Sequence, residues 1–368
     1  MKKYHFGWQL VEKFKISNFT INFLRAIKLC LVIIAKGQYP IPFRTRKSSL
    51  SAPMVLCLKT WKSRTLPGIS KMKNFIIVTG GAGFIGSSLI KSLLINTNKK
   101  IISLDNYSSG NKKNHVKDTR VKYIKTETID ISKHLNNVKK RIHSIFHFGE
   151  FARIYQSFKK FDECFKSNSI GSNAVFKFCL DNNIKLIYSA TSASLGNRGQ
   201  DKDLSPYAFT KSKNLELLEN LRKWFNFKFE VIYFYNVYGP GQIKVGDMAT
   251  VVGIFEDQYK KNKPLTIVKP GTQTRRFTHI DDTINTCIEA WRKNKCLKYS
   301  ISHKKSYSII DLAKMFKTRI IYLKSRSGER YASALTIISN NRKIINKYGK
   351  IDLKDYVTSF IKGKNYEN

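Results

Sequence analysis

Acidic residues are scarce in this chain: 25 Asp and Glu stand against 67 Lys and Arg, a formal net charge of +42 over 368 residues. Charge of that size attracts polyanions non-specifically. The basic residues, mostly Lys, are spread along the whole sequence, and neither a basic helix nor an aromatic-basic RNA-binding signature is present, so no specific nucleic-acid partner is expected. The six cysteines form no CxxC pair and no His cluster accompanies them, which excludes a sequence-evident metal site and predicts free thiols in a reducing, cytoplasmic setting. No stretch reaches the ~20 apolar residues that span a bilayer. Arg25 and Lys28 interrupt the best candidate, Ile21 to Ala35, and a soluble chain is expected unless its N-terminus anchors it. Internal repeats and low-complexity linkers are absent as well.

What is there is ample apolar material. A hydrophobic content of 42% predicts a folded globular protein with one large α/β domain and a smaller one. Residues 1–71 stand apart as a basic extension: Glu12 is their single acidic residue, and they end in Pro67-Gly68-Ile69-Ser70 before Lys71. Three readings fit that extension: a translated upstream segment with Met72 as the start, a basic targeting presequence, or an interfacial amphipathic helix from about Phe19 to Ile34. The first is favoured, because Met72-Lys73-Asn74 leads directly into a strand.

From Phe75 short apolar runs alternate with amphipathic stretches, the rhythm of a parallel sheet with crossover helices. Strands are expected at Phe75 to Thr79, Lys100 to Asp105, Ser144 to Phe148, Lys185 to Ser189 and Phe229 to Phe234. Helices are expected near Phe84 to Leu94, Ile170 to Leu180 and Pro206 to Trp224. After Pro240-Gly241 the rhythm breaks. The pattern predicts a Rossmann-type doubly wound parallel sheet over residues 72–239, with residues 240–368 mainly a smaller C-terminal α/β substrate lobe.

Two motifs carry chemistry. Val78-Thr79-Gly80-Gly81-Ala82-Gly83-Phe84-Ile85-Gly86 follows a strand and opens a helix, so backbone N–H groups and a helix N-terminus can meet a pyrophosphate. Gly80, Gly83 and Gly86 suit the tight turn, the close phosphate approach and the helix-on-strand packing. Asp105 ends the second strand 19 residues after Gly86, where a carboxylate accepts from the adenosine ribose hydroxyls and repels a 2′-phosphate, favouring NAD over NADP. The second motif is Ser205-Pro206-Tyr207-Ala208-Phe209-Thr210-Lys211, a capped helix start that puts Tyr207 and Lys211 on one face. A phenol with an ordinary pKa of ~10 is a poor base near neutrality, and a fixed ammonium nearby favours its ionised form. Thr191, in the Ser189-Ala190-Thr191-Ser192 run before it, can bring a hydroxyl to the same pocket.

The order of these segments, with Leu104-Asp105-Asn106, Phe146-His147-Phe148, Tyr235-Asn236-Val237-Tyr238-Gly239-Pro240 and Gly271-Thr272-Gln273-Thr274-Arg275-Arg276-Phe277, resembles the extended short-chain dehydrogenase/reductase family over most of residues 73 to 350. By that resemblance Phe84, Ile85 and Asn106 join the glycines and Asp105 at the NAD. Tyr207 is the general base, Lys211 lowers its pKa and holds the nicotinamide ribose, and Thr191 binds the reacting sugar hydroxyl. Asn236, Arg275 and Arg326 fall where the family contacts a nucleotide diphosphate. The resemblance also implies a homodimer through paired helices, here near Ala152 to Cys179 and Pro206 to Trp224.

The scaffold serves several chemistries. Dehydratases of the family resemble one another in a Thr-Asp-Glu triplet, and decarboxylases keep the Glu; this chain has Thr191-Ser192-Ala193. Reversible hydride transfer is what survives without that carboxylate, so the expectation is a NAD-dependent 4-epimerase acting on a nucleotide-sugar through a 4-keto intermediate. UDP-hexoses resemble the family's default substrate, and a small residue at Ser333 would admit N-acetylhexosamines. A reductase or dehydrogenase with net redox is the main alternative, a non-catalytic NAD-binding protein the more distant one. Three departures stand out. Glu150 occupies a position that is small and apolar in the family, where it either lines the sugar pocket or caps a helix. Gly196 to Ser205 is short for a substrate loop, and Arg276 and Tyr233 rearrange local charge.

Overall fold

The computed structural model describes residues 73–195, 202–325 and 344–363. These residues fall within one compact unit, 69–368. Its centre is an eight-stranded sheet. Strands β1 (Phe75–Thr79), β2 (Lys100–Asp105), β3 (Val121–Lys125), β4 (Ile142–His147), β5 (Lys185–Thr191), β6 (Phe229–Phe234), β7 (Lys298–Ser302) and β8 (Ile344–Tyr348) lie in the order β8-β7-β6-β5-β4-β1-β2-β3. Every neighbouring pair in it is parallel. Parallel strands need crossovers and covered faces, which is why β1, Phe-Ile-Ile-Val-Thr, reads as a nearly unbroken apolar run.

The two faces are assigned by residue parity along each strand. Ile77, Ile145, Leu186 and Val231 pack against Val175, Phe176 and Cys179 of helix α2 (Ser172–Asp181) and Leu218 and Leu221 of α3 (Pro206–Phe225). Their neighbours Ile76, Val78, Phe146, Ile187 and Ile232 face the other way, onto Leu89, Ile90 and Leu93 of α1 (Phe84–Asn96) and Ile284 and Cys287 of α5 (Ile280–Lys293). The sheet is thus doubly wound, as the pattern predicted. A third core, built on Phe255 of α4 (Val251–Lys260), Leu265, Ile267, Phe277, Leu312 and Tyr356 of α6 (Leu353–Ile361), makes the smaller lobe.

A cut at 239/240 does not separate these layers. Helix α5 and strands β7 and β8 belong to the large sheet although they follow residue 240, so the chain leaves the sheet at β6 and returns to it twice. Both returns were missing from the sequence-derived strands. Lys298–Ser302 reads Lys-Tyr-Ser-Ile-Ser, and only its docking beside β6 makes it a strand.

Candidate active site

From β1 the chain winds outward through β2 and β3, then crosses to β4 on the other side of β1. A crevice opens at such a switch point, beyond the carboxyl ends of the strands. A cavity of about 780 Å³ lies there, and it gathers Gly80, Gly83, Phe84, Ile85, Gly86, Asp105, Asn106, Thr191, Tyr207, Lys211, Asn236 and Arg275 from segments up to 195 residues apart. Arg326 and Ser333 lie outside the described residues.

The glycine-rich turn is held by contacts that exclude side chains. Gly80 has φ +73°, and a Cβ there would stand 2.8 Å from the Gly149 nitrogen. A Cβ on Gly86 would meet the Gly80 carbonyl oxygen at 2.1 Å, so helix α1 can start this close to β1 only with glycine. No side chain caps α1 at Gly83, which leaves the first N–H groups of the helix for an anionic ligand. Asp105 closes the turn from β2: one carboxylate oxygen accepts from Ala82 N–H and the other from Tyr107 N–H, each at 2.8 Å. Burial raises its pKa against those hydrogen bonds. An uncapped helix start, a turn without side chains and a carboxylate at the end of β2 fit a dinucleotide.

Helix α3 brings the second group. Ser205 caps it by accepting from Ala208 N–H at 3.1 Å, with Pro206 in the first turn. Tyr207 and Lys211 then face inward, both buried. Thr191, at the end of β5, hydrogen-bonds the Tyr207 phenol. Burial pushes that phenol up to about 12; the Glu150 charge adds to the rise, while the Thr191 bond and the Arg153 cation oppose it.

Lys211 is engaged differently from the expectation. Its ammonium donates to the Glu150 carboxylate and, at 2.5 Å, to the Ser189 carbonyl. Glu150 caps no helix. Its side chain is 1% exposed at the cavity wall, and its other oxygen accepts from Ser172 Oγ at 2.8 Å, Tyr188 OH at 3.0 Å and Asn214 Nδ2 at 3.1 Å. Neighbouring His147 bridges Thr79 Oγ1 at 2.7 Å and Ser172 Oγ at 2.9 Å, and burial lowers its pKa to about 4, so it is neutral near pH 7. Asn168, on a π-helical turn at Lys166–Gly171, clamps the Phe151 backbone by accepting at 2.7 Å and donating at 3.0 Å. Sequence reasoning missed Asn168, Asn214 and Arg153. Asn214 lies one turn beyond Lys211, a spacing that could have drawn attention to it.

Asn236 has φ +36° and donates to the Arg276 carbonyl at 2.8 Å, so it secures its turn while lining the cavity. Arg275 donates to the Thr274 carbonyl at 3.0 Å on a short strand, Thr274–Arg276, that pairs with Ser306–Ser308.

A sequence model described as the NAD dependent epimerase/dehydratase family matches residues 76–301. The chain belongs to that family. NAD is its cofactor, and the glycine turn with Asp105 fits it. Among similar proteins, the ADP-L-glycero-D-manno-heptose-6-epimerase of Brachyspira hyodysenteriae is 30% identical over 76% of this chain and 89% of its own length. A putative UDP-glucose 4-epimerase of Methanocaldococcus jannaschii is 27% identical over 76% and 95%. The UDP-glucuronic acid 4-epimerase of Bacillus cereus, solved with UDP-glucuronic acid and NAD, superposes with a TM-score of 0.68 at 27% identity, covering 78% of this chain and 99% of that one. Among the described residues of this family member, no helix is long and apolar enough to cross a membrane and no cluster of metal ligands occurs.

Proposed function

We propose that this family member is a sugar-nucleotide 4-epimerase with Tyr207 as its general base. The carrying observation is the hydroxyl pair of Thr191, at the end of β5, and Tyr207, on α3, where the positions after Thr191, Ser192 and Ala193, offer no carboxylate. Elimination of water or of carbon dioxide would need further acid–base groups there; interconversion of epimers needs a single base able to take and return one hydroxyl proton. Bound NAD supplies the reversible hydride acceptor that makes a sugar hydroxyl a ketone and back.

In this reading Thr191 orients the sugar hydroxyl toward Tyr207 and shares its proton. The glycine turn and Asp105 hold the dinucleotide on the sheet side of the cavity. Asn236 and Arg275 approach from the segments that lead into the smaller lobe, and the guanidinium of Arg275 suits the diphosphate of a UDP-linked sugar. The names of the 4-epimerases compared above support a UDP-hexose or its N-acetyl or uronic acid counterpart as substrate.

The test is incubation of the purified chain with UDP-glucose, UDP-N-acetylglucosamine and UDP-glucuronic acid without added cofactor, with chromatographic separation of the products. The expected result is the C4 epimer of one of them with no net NADH. Stoichiometric formation of NADH would favour a dehydrogenase instead, and unchanged sugars in protein that retains NAD would remove the epimerase reading.

A further inference from the structure

Four donors from three helical or strand elements converge on the Glu150 carboxylate: Ser172, Tyr188, Asn214 and Lys211. An ammonium carries three N–H bonds. Two from Lys211 are committed to Glu150 and the Ser189 carbonyl, and the charged nitrogen lies 4.7 Å from the Tyr188 ring centroid. A buried ion pair so fully hydrogen-bonded acts as a unit, because losing either partner strands a charge in low dielectric. Seen from Tyr207, the carboxylate in contact with the ammonium offsets its pull on the phenol, and the Glu150 charge acts to raise the phenol's pKa.

Arg153 differs in one respect that matters. Its guanidinium donates to two backbone carbonyls, Ala152 at 2.8 Å and Met248, which leave its net charge intact. Its Nε is sealed from water and has no hydrogen-bond partner. Both Arg153 and Tyr207 line the cavity, and Met248 packs on the cluster that contains Tyr207 and Ala193. The charged and titratable groups around the phenol are Glu150 from the loop after β4, Arg153 just before the helix Ile154–Lys159, Cys164 from the helix Phe161–Phe165, Tyr188 on β5, and Lys211 on α3 itself.

We propose that Glu150 is a positioning residue that pins and neutralises Lys211, and that Arg153 is the cation that stabilises the Tyr207 phenolate. This rests on Tyr207 being the general base. Glu150 gives the site a neutral Lys–Glu unit in place of a lone ammonium, and the task of favouring the ionised phenol passes to the guanidinium.

Two variants of the full chain test it. In protein labelled with ¹³C at the tyrosine ζ-carbon, with the Tyr207 resonance assigned through Tyr207→Phe, Glu150→Gln should lower the titration midpoint of Tyr207 by about one pH unit or more, since an opposite charge nearby is worth ~1–3 units. Arg153→Gln should raise the Tyr207 midpoint by about one pH unit or more and reduce kcat/KM about tenfold between about pH 7 and 10, and Arg153→Lys should recover most of both. A Tyr207 titration midpoint that is unmoved in Glu150→Gln, or unmoved in Arg153→Gln, would overturn the proposal. Should Glu150→Gln fail to fold, the Arg153 pair decides alone. The resonance needs no turnover, so a failure here is distinct from a failure to epimerise.

Discussion

Asp105 accepts a hydrogen bond from the Ala82 backbone at 2.8 Å, joining the end of β2 to the glycine-rich turn that follows β1. The carboxylate therefore shapes the turn, and in the proposed site it also meets the adenosine ribose of NAD. Replacing it removes hydrogen bonds to a charged group, each worth about 1.5–3 kcal/mol. Asp105→Ala should lower NAD affinity roughly tenfold to a hundredfold and narrow the preference for NAD over NADP. Calorimetric titration with both dinucleotides measures this; unchanged affinity would remove Asp105 from the cofactor site.

Tyr207 and Thr191 are expected to lose activity unequally. A positioned general base contributes ~10²–10⁴ in rate, so Tyr207→Phe should reduce kcat by that order while leaving NAD retention intact. Thr191→Val removes one hydrogen bond and should cost about tenfold. Single-turnover rates on the preferred sugar-nucleotide give both values, and a fully active Tyr207→Phe would exclude it as the base.

Burial holds the Tyr207 phenol up to about 12, so the ionised base is a minor species at neutrality. The sign follows: kcat/KM should rise with pH between about 7 and 10, without a plateau near pH 7. A flat profile over that range would show that a group of lower pKa takes the proton.

Away from the site, Asp352 caps α6 and binds Lys305 Nζ at 2.7 Å and Tyr307 OH at 2.6 Å. Burial raises its pKa, but these partners and the Lys354 N–H outweigh burial and bring it down to about 2. A carboxyl depressed in the folded state contributes stability that is present above its unfolded value near ~4 and is lost as pH falls through about 2. Asp352→Asn should therefore melt below the wild type at pH 7, and the gap should close between about pH 4 and 2. Thermal unfolding of both chains across that range reads it; a gap that persists at the lowest pH would mean that the ion pair is not its source.

Phe158, Phe161, Ile170 and Phe209 remain 37–52% exposed on the helices that precede and carry the active-site residues. Phe165 links them, its ring 4.5 Å from Phe161 and 6.2 Å from Phe209. We propose that a second copy of the chain covers this patch. Light scattering should give the mass of a dimer, and Phe161→Glu with Phe209→Glu that of a monomer; an unaltered mass would place the contact elsewhere.

Much of the sheet was legible from local pattern. Phe75–Thr79, Lys100–Asp105 and Phe229–Phe234 match expectation at both ends, and β5 runs on only as far as Thr191. Helix α3 was readable from its own cap, Ser205 and Pro206. Strand β3, Val-Lys-Tyr-Ile-Lys at the sheet edge, escaped because two lysines among its five residues dilute its apolar signal, and the expected helix near Ile170 to Leu180 begins inside the π-helical turn at Lys166–Gly171 and runs on as α2.

The sequence by itself determined the motifs: the glycine turn, the acid 19 residues beyond it and the Tyr207–Lys211 pair each depend on short-range spacing, which covalent geometry fixes. Only the tertiary structure decided what those groups meet. Glu150 and Lys211 are 61 residues apart, and no periodicity relates them. Their union, the placing of Arg153 near the phenol, and the return of β7 and β8 to the sheet follow from packing, where a buried charge must find whatever partner the fold brings within reach.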